Sequence, residues 1–179
     1  EMEAVTQRLR PGAAEGGHHS YDVVVIGGGN AALCAALTAR EAGARVVVLE
    51  CAPRHFRGGN SRHTRNFRCL HTKPDQYLTG TYTEDEFLSD LRSVNGGAID
   101  ETLARLAIQQ SGTCQEWMAR EGARFQAVLH GTLQLGRTNL FFLGGGKALM
   151  NSYYPPAERL GVEVRYDADV IDLRLPGGR

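Results

Sequence analysis

Gly27, Gly29 and Ala32 fill the three positions of the pattern G-x-G-x-x-G/A, and a carboxylate, Glu50, follows twenty-one residues after Gly29. These types at this spacing can hold the diphosphate and ribose of a dinucleotide. The first glycine permits a tight turn, the second lets backbone approach a pyrophosphate, and the third small residue lets a helix pack close to a sheet. A helix opening at Asn30 and Ala31 aims free N–H groups and a partial positive charge at the phosphates. Glu50, with Cys51 after it, ends the next strand, where a carboxylate accepts hydrogen bonds from ribose hydroxyls. That charge repels a 2′-phosphate and argues against NADP. FAD and NAD both carry a free 2′-hydroxyl, and the fingerprint alone does not separate them. Its place near the start of the chain, after a short Gly- and His-containing lead, favours FAD as a permanent cofactor.

A second concentration of chemistry lies in residues 52–74. Arg54, Arg57, Arg62, Arg65, Arg68 and Lys73 occur there with His55, His63 and His71, and no acid stands between Glu50 and Asp75. The whole chain balances 20 basic against 20 acidic residues, so this charge is unevenly placed. A solvated loop is one reading. Anion recognition is the other, since arginine forks match carboxylate and phosphate geometry. Gly58, Gly59, Asn60 and Ser61 favour the second: the glycines let backbone pass close to a flat ligand, and Asn and Ser offer short hydrogen-bonding groups beside it. Gly144-Gly145-Gly146-Lys147 is followed by Ala148, which does not fit G-x-x-x-x-G-K-[ST] and argues against a triphosphate site. His130 reads as a structural histidine rather than a base.

The elements that must position these residues follow from periodicity. Residues 23–26 form an apolar run without alternation, as in a parallel strand buried on both faces, and a small-residue helix and a second strand, 46–49, complete a βαβ unit. The fold class is α/β, a Rossmann-like domain with a parallel sheet core and a partial helical and β capping region. Thr83-Glu84-Asp85-Glu86 is a capping box opening a helix over 84–94, ended by Asn95-Gly96-Gly97. Asp100 caps a helix over 101–120 whose core positions are Leu103, Leu106, Ala107, Ile108, Trp117 and Met118, with Gly122 at C′ and Ser111-Gly112-Thr113 as a point where it can split. Residues 125–135 read as a strand or hairpin arm. A helix over 148–160 should be kinked or interrupted at Pro155-Pro156, and a strand over 162–166 follows. Residues 164–175 are strand-like, and the ending Leu175-Pro176-Gly177-Gly178-Arg179 resembles the turn of an unfinished hairpin, the mark of a fragment.

The chain's 179 residues suffice for one domain with a real core, and are too few for a cofactor domain plus a substrate domain. Balanced charge gives no case for nucleic acid. No apolar run reaches membrane-spanning length and no signal core is present, so no direct membrane insertion and a cytoplasmic location are expected. Residues 1–20 form a lead, with 15–20 expected to be disordered. Cys34, Cys51, Cys69 and Cys114 show neither C-x-x-C pairing nor zinc-ligand spacing, so neither disulfide nor metal is expected, and Cys34 reads as a buried apolar filler.

The segments G-G-G-N-A-A-L-C-A-A, V-V-V-L-E, R-G-G-N-S-R-H-T-R-N, F-F-L-G-G-G-K-A-L-M and G-V-E-V-R-Y-D-A-D-V resemble the fumarate reductase/succinate dehydrogenase flavoprotein family, most of all its tricarballylate dehydrogenase branch. The resemblance runs from Tyr21 to Leu175. It implies that Gly27, Gly29 and Ala32 line the FAD pyrophosphate, that Glu50 holds the adenosine ribose, and that Gly58, Gly59, Asn60 and Ser61 lie along the isoalloxazine and ribityl chain. Backbone around Val164 would lie near the adenine. Some members attach FAD through a histidine in this loop; here Ser61 stands at that position and His63 two residues on, which implies non-covalent FAD. The implied reaction removes a hydride and a proton from adjacent carbons of a small polycarboxylate, tricarballylate giving cis-aconitate, with an electron-transfer partner protein. Arg62, His63 and Arg65 are then the residues nearest the substrate carboxylates, and no catalytic residue is assigned. The family's proton-handling residues and second glycine-rich FAD segment have no counterpart here. By the resemblance, residues 21–123 and 144–179 belong to the FAD-binding domain, residues 124–143 begin a capping segment, and the chain alone is inactive. Two alternatives stay open: a binding module without activity, or a relative acting on a steroid, an amino acid or a tetrapyrrole such as a cobalamin precursor. The arginines weigh against a steroid.

Overall fold

Three β-branched residues and a leucine make the central strand, β2 (Val46–Leu49), which is buried at every position. In this computed structural model, which describes residues 20–128 and 135–175, β2 pairs in parallel with β1 (Val23–Ile26) on one side and β5 (Glu163–Arg165) on the other. Val47 thus faces Val24 on one neighbour and Glu163 on the other, while Val48 lies between Val25 and Val164. Helix α1 (Asn30–Glu41) connects β1 to β2 and buries Leu33, Ala36 and Leu37 completely. The α/β class and parallel sheet are those expected. Contacts divide the described residues into two compact units: one runs to Arg62 and resumes at Tyr153, and the other is His63–Ser152. These limits differ from the expected segment boundaries.

In the second unit, β3 (Asn66–Arg68) pairs antiparallel with β4 (Asn139–Phe141), and α2 (Glu84–Val94) packs against α3 (Glu101–Arg120). Thr83 Oγ1 accepts from the Glu86 N–H at 3.3 Å, and Asp100 Oδ1 from the Leu103 N–H at 2.9 Å, so both helices start where their caps stand. Glu86 does not complete the box; its carboxylate takes the Arg137 guanidinium instead. Tyr82 is fully buried, donates to Asp90 Oδ2 at 2.7 Å and accepts from Arg68 at 3.1 Å. Gly122, at φ +94, ends α3 as expected.

Several expectations are corrected. β1 is not buried on both faces: Ile26 is 57% exposed, because among the described residues β1 has only β2 beside it. Residues 52–74 are not wholly loop, since they contain two 3-10 turns (Arg54–Phe56 and Gly59–His63) and β3. α3 does not split at Ser111-Gly112-Thr113. The Ser111 hydroxyl donates to the Ile108 carbonyl at 2.6 Å and that of Thr113 to the Gln110 carbonyl at 3.1 Å, so both are satisfied within the helix. Its buried positions are Ile108 and Met118, whereas Leu103 and Leu106 are exposed and Trp117 is half-buried. Cys34 is half-buried rather than core. Among the described residues of 125–135 there is one bridge, Phe125 to Phe142, and no strand; residues 129–134, His130 among them, lie outside the described residues, as do residues 15–19 and the ending at 176–179. After β5 the chain turns at Asp167, φ +54, and residues 169–175 form no strand. Among the described residues no helix is long and apolar enough to cross a membrane.

Helix α4 (Gly145–Arg159) begins at its glycines and carries Pro155 and Pro156 without interruption. Proline's fixed φ suits a helix, and what is lost is a donor at each ring nitrogen. Buried Tyr153, Tyr154 and Ala157 hold this stretch in place against that loss. Pro155→Ala, at an exposed position, restores one donor and is expected to raise stability by about 1–3 kcal/mol, read as a higher urea midpoint at unchanged slope; a lower midpoint would contradict this account.

Candidate cofactor site

All the residues of the glycine fingerprint and its carboxylate lie in the first unit. The Gly27 N–H donates to the Leu49 carbonyl at 2.8 Å, and Gly27 sits at φ +96, a conformation that a side chain would oppose. Gly29 precedes α1 in extended conformation, no side chain caps the helix through it, and no acid occupies the first turn. The Gly58–Ser61 stretch folds onto this end: Ser61 Oγ accepts from the Asn30 N–H at 3.1 Å, and a Cβ on Gly29 would lie 3.5 Å from Ser61 Oγ and 3.6 Å from the Gly58 carbonyl oxygen. Gly58 is buried, at φ +108, while Gly59 and Asn60 are exposed. Asn30 Oδ1 is buried without a partner. A helix end with free amides, no acid of its own and an orphaned buried acceptor beside it suits an anionic ligand that also brings hydroxyl donors.

Glu50 is only 4% exposed. Its Oε1 accepts from the Ala52 N–H at 2.8 Å and from Cys51 Sγ at 3.5 Å; among the described residues Oε2 receives no hydrogen bond. Burial and the bond to Glu50 push the exposed Cys51 thiol upward, which keeps it a donor. Oε2 points instead at Gly28, the x of the fingerprint, where a Cβ would collide with it and with the Tyr154 hydroxyl. Tyr154 donates to the Gly28 carbonyl at 2.7 Å. Arg57 places its guanidinium 3.8 Å from the centre of the Tyr154 ring and donates to Tyr166 Oη at 2.7 Å. Burial, then the Glu50 charge, raise the Tyr154 hydroxyl far above the usual tyrosine range. Sequence reasoning did not find Tyr154 or Tyr166, which stand over a hundred residues from the fingerprint; three successive glycines were the only local sign of crowding at Gly28. Val164 is half-buried in β5 opposite Val48.

The basic stretch proves divided in its tasks. Arg54 and Arg57 lie 3.7 and 3.8 Å from Glu158, and Arg68 lies 2.8 Å from Asp90. Arg62, Arg65 and Lys73 have no ion pair among the described residues; Arg62 lies over the Phe56 ring at 5.7 Å. Arg62 belongs to the first unit, and His63 and Arg65, both exposed, to the second. His71 bonds the Cys69 carbonyl through Nδ1 at 3.0 Å and buries Nε2 without a partner, while burial pushes the Cys69 thiol up to about 11.

The chain belongs to the FAD binding domain family, which it matches over residues 22–160, the family of fumarate reductase- and succinate dehydrogenase-type flavoproteins. A 3-oxo-5-alpha-steroid 4-dehydrogenase of Comamonas testosteroni is 35% identical over 117 residues, 62% of this chain and 20% of the relative. A fumarate reductase (cytochrome) of Shewanella frigidimarina is 29% identical over 169 residues, 88% of this chain and 26% of the relative. The open conformation of a flavocytochrome c3 fumarate reductase superposes with a TM-score of 0.67 at 23% identity, over 85% of this chain and 27% of that structure, a likeness of fold. The chain spans about a third or less of the length of the curated relatives it matches. The cofactor is FAD, and the acid-free helix end, the orphaned Asn30 Oδ1 and the open Glu50 Oε2 fit it.

Gly28→Ala must displace both the Glu50 carboxylate and the Tyr154 hydroxyl, and is expected to cost about 1–3 kcal/mol in overpacking, measured by chemical denaturation of the FAD-free protein. Unchanged stability would mean that the crowding at Gly28 is absent in solution.

Proposed function

We propose that this chain, as a member of the FAD binding domain family, supplies the adenosine- and diphosphate-holding part of a flavin-dependent dehydrogenase of a small polycarboxylic acid. The observation that carries this reading is the uncapped, acid-free start of α1, bordered by Ser61 and backed by the buried Glu50, whose Oε2 takes no donor within the described chain. Gly27, Gly29, Asn30, Ala31 and Ala32 would hold the diphosphate through backbone, and Glu50 the ribose hydroxyls, with Cys51 beside it. Gly58, Gly59, Asn60 and Ser61 would border the flavin and its ribityl chain, and backbone at Val164 the adenine. Attachment is non-covalent in this reading, since a serine stands where some relatives carry the linking histidine. The FAD-binding domain would comprise residues 21–123 and 144–179, with a capping segment begun over 124–143.

Bound FAD supplies an acceptor for an electron pair; the chain's residues orient and hold. We assign the substrate carboxylates to Arg62, Arg65 and His63. Support comes from the charge division: the other arginines of the stretch are neutralised by Glu158 and Asp90, and these two are not. Tricarballylate, giving cis-aconitate by loss of two hydrogens from adjacent carbons, is the substrate the sequence resemblance favours. Relatives whose names specify a steroid and fumarate bracket that choice, and unpaired arginines favour the carboxylate. A separate electron-transfer protein and a cytoplasmic setting belong to the same proposal.

Purified chain should be yellow and release flavin on heating; a colourless preparation with no affinity for added FAD would exclude cofactor binding. Glu50→Lys should weaken FAD retention, and unchanged flavin content would count against the ribose role. In an enzyme containing this chain, Arg65→Ala should lower kcat/KM on tricarballylate by roughly one to two factors of ten, the loss of a charge-assisted bond of about 1.5–3 kcal/mol. Kinetics left as in the wild type would remove Arg65 from the carboxylate site.

A further inference from the structure

One hydroxyl in the first unit borders two groups that the cofactor reading needs. The Tyr154 side chain, carried on the last part of α4, is fully buried and reaches Gly28, the residue between the two glycines of the fingerprint. Its Oη stands against the same point of Gly28 as Glu50 Oε2, so that not even a methyl group fits between them. A phenol has one proton, and here it goes to the Gly28 carbonyl at 2.7 Å. Glu50 Oε2 is thereby left as an open acceptor, while Oε1 is fixed by the Ala52 N–H. The ring that carries the hydroxyl is itself held: Arg57 lies on its face at 3.8 Å, Arg57 is anchored to Tyr166 Oη at 2.7 Å, and the Tyr154 and Tyr166 rings lie 6.3 Å apart.

We infer that Tyr154 is a positioning residue of the nucleotide site, locking the diphosphate turn to the ribose carboxylate through its contacts with Gly28 and Glu50, with Arg57 and Tyr166 as the brace behind its ring. The inference rests on the FAD-site reading above and adds to it residues that the glycine fingerprint does not contain. The turn and the carboxylate come from different segments, after β1 and at the end of β2, and a ligand spanning both gains only if their separation is fixed before it arrives. Tyr154 fixes it, and directing its proton to the carbonyl keeps the carboxylate oxygen free for a ligand hydroxyl.

The test is calorimetric titration of the intact chain with FAD, ADP and 2′-deoxy-ADP, at a temperature where wild type and variants are folded by circular dichroism. Wild type should bind ADP about tenfold more tightly than 2′-deoxy-ADP, as expected for one hydrogen bond to a charged group. Tyr154→Phe should bind ADP about tenfold more weakly and keep less than about a threefold preference for the 2′-hydroxyl. A merely structural tyrosine would lower the melting temperature and leave both quantities unmoved. Wild-type ADP affinity in Tyr154→Phe, or weaker binding with the full preference retained, overturns the inference. Wild-type chain that binds neither FAD nor ADP overturns the FAD-site reading itself, a distinct result that takes this inference with it. Should Tyr154→Phe not fold, Arg57→Gln decides, with about a threefold loss of ADP affinity and a reduced preference supporting the brace, and wild-type values refuting it.

Discussion

Backbone amides at the start of a helix need acceptors, and the beginning of α1 is built so that the chain supplies almost none. Gly29 gives no side chain, the first turn contains no acid, and Ser61 satisfies one N–H only. The remaining positive end suits an anion, a diphosphate under the proposed function. Beside that end Gly28 must be small because Glu50 and Tyr154 converge there, while Gly29 lies in ordinary contact distance of Gly58 and Ser61.

Charge in the 52–74 stretch obeys a related economy. A run of cations without acids costs self-repulsion unless partners come from elsewhere, and here Glu158 in α4 and Asp90 in α2 take up part of it. Arg57 goes further, exchanging exposure for the faces of two tyrosines. What looks uniform along the chain is thus sorted by the fold into arginines that brace and arginines left to solvent or ligand. The same sorting applies to acids, since Glu86 leaves its capping box for Arg137 while Thr83 keeps its own half.

The legible parts of the fold were those governed by local rules. α2 and α3 run between residues that capping chemistry names directly, and β2 is a strand because four apolar residues can be covered on both faces. Where the outcome depended on a distant partner, local rules failed. Ile26 is exposed because the described sheet places nothing beyond β1, and Leu103 and Leu106 are exposed although their spacing is helical and apolar. Pro155 and Pro156 predict a kink or interruption, yet the helix runs through them, held by the burial of Tyr153 and Tyr154.

The amino-acid sequence by itself determined the βαβ unit, its glycine turn and the carboxylate that closes it, since spacing along one short segment fixes turn, helix and strand. Only the tertiary structure decided that Gly28 is crowded, that Tyr154 and Arg57 stand behind the turn, and which arginines keep their charge unpaired. Those facts depend on side chains brought together from about twenty to over a hundred residues apart, and hydrogen bonds and ion pairs are set by distance in space, which periodicity along a chain does not encode.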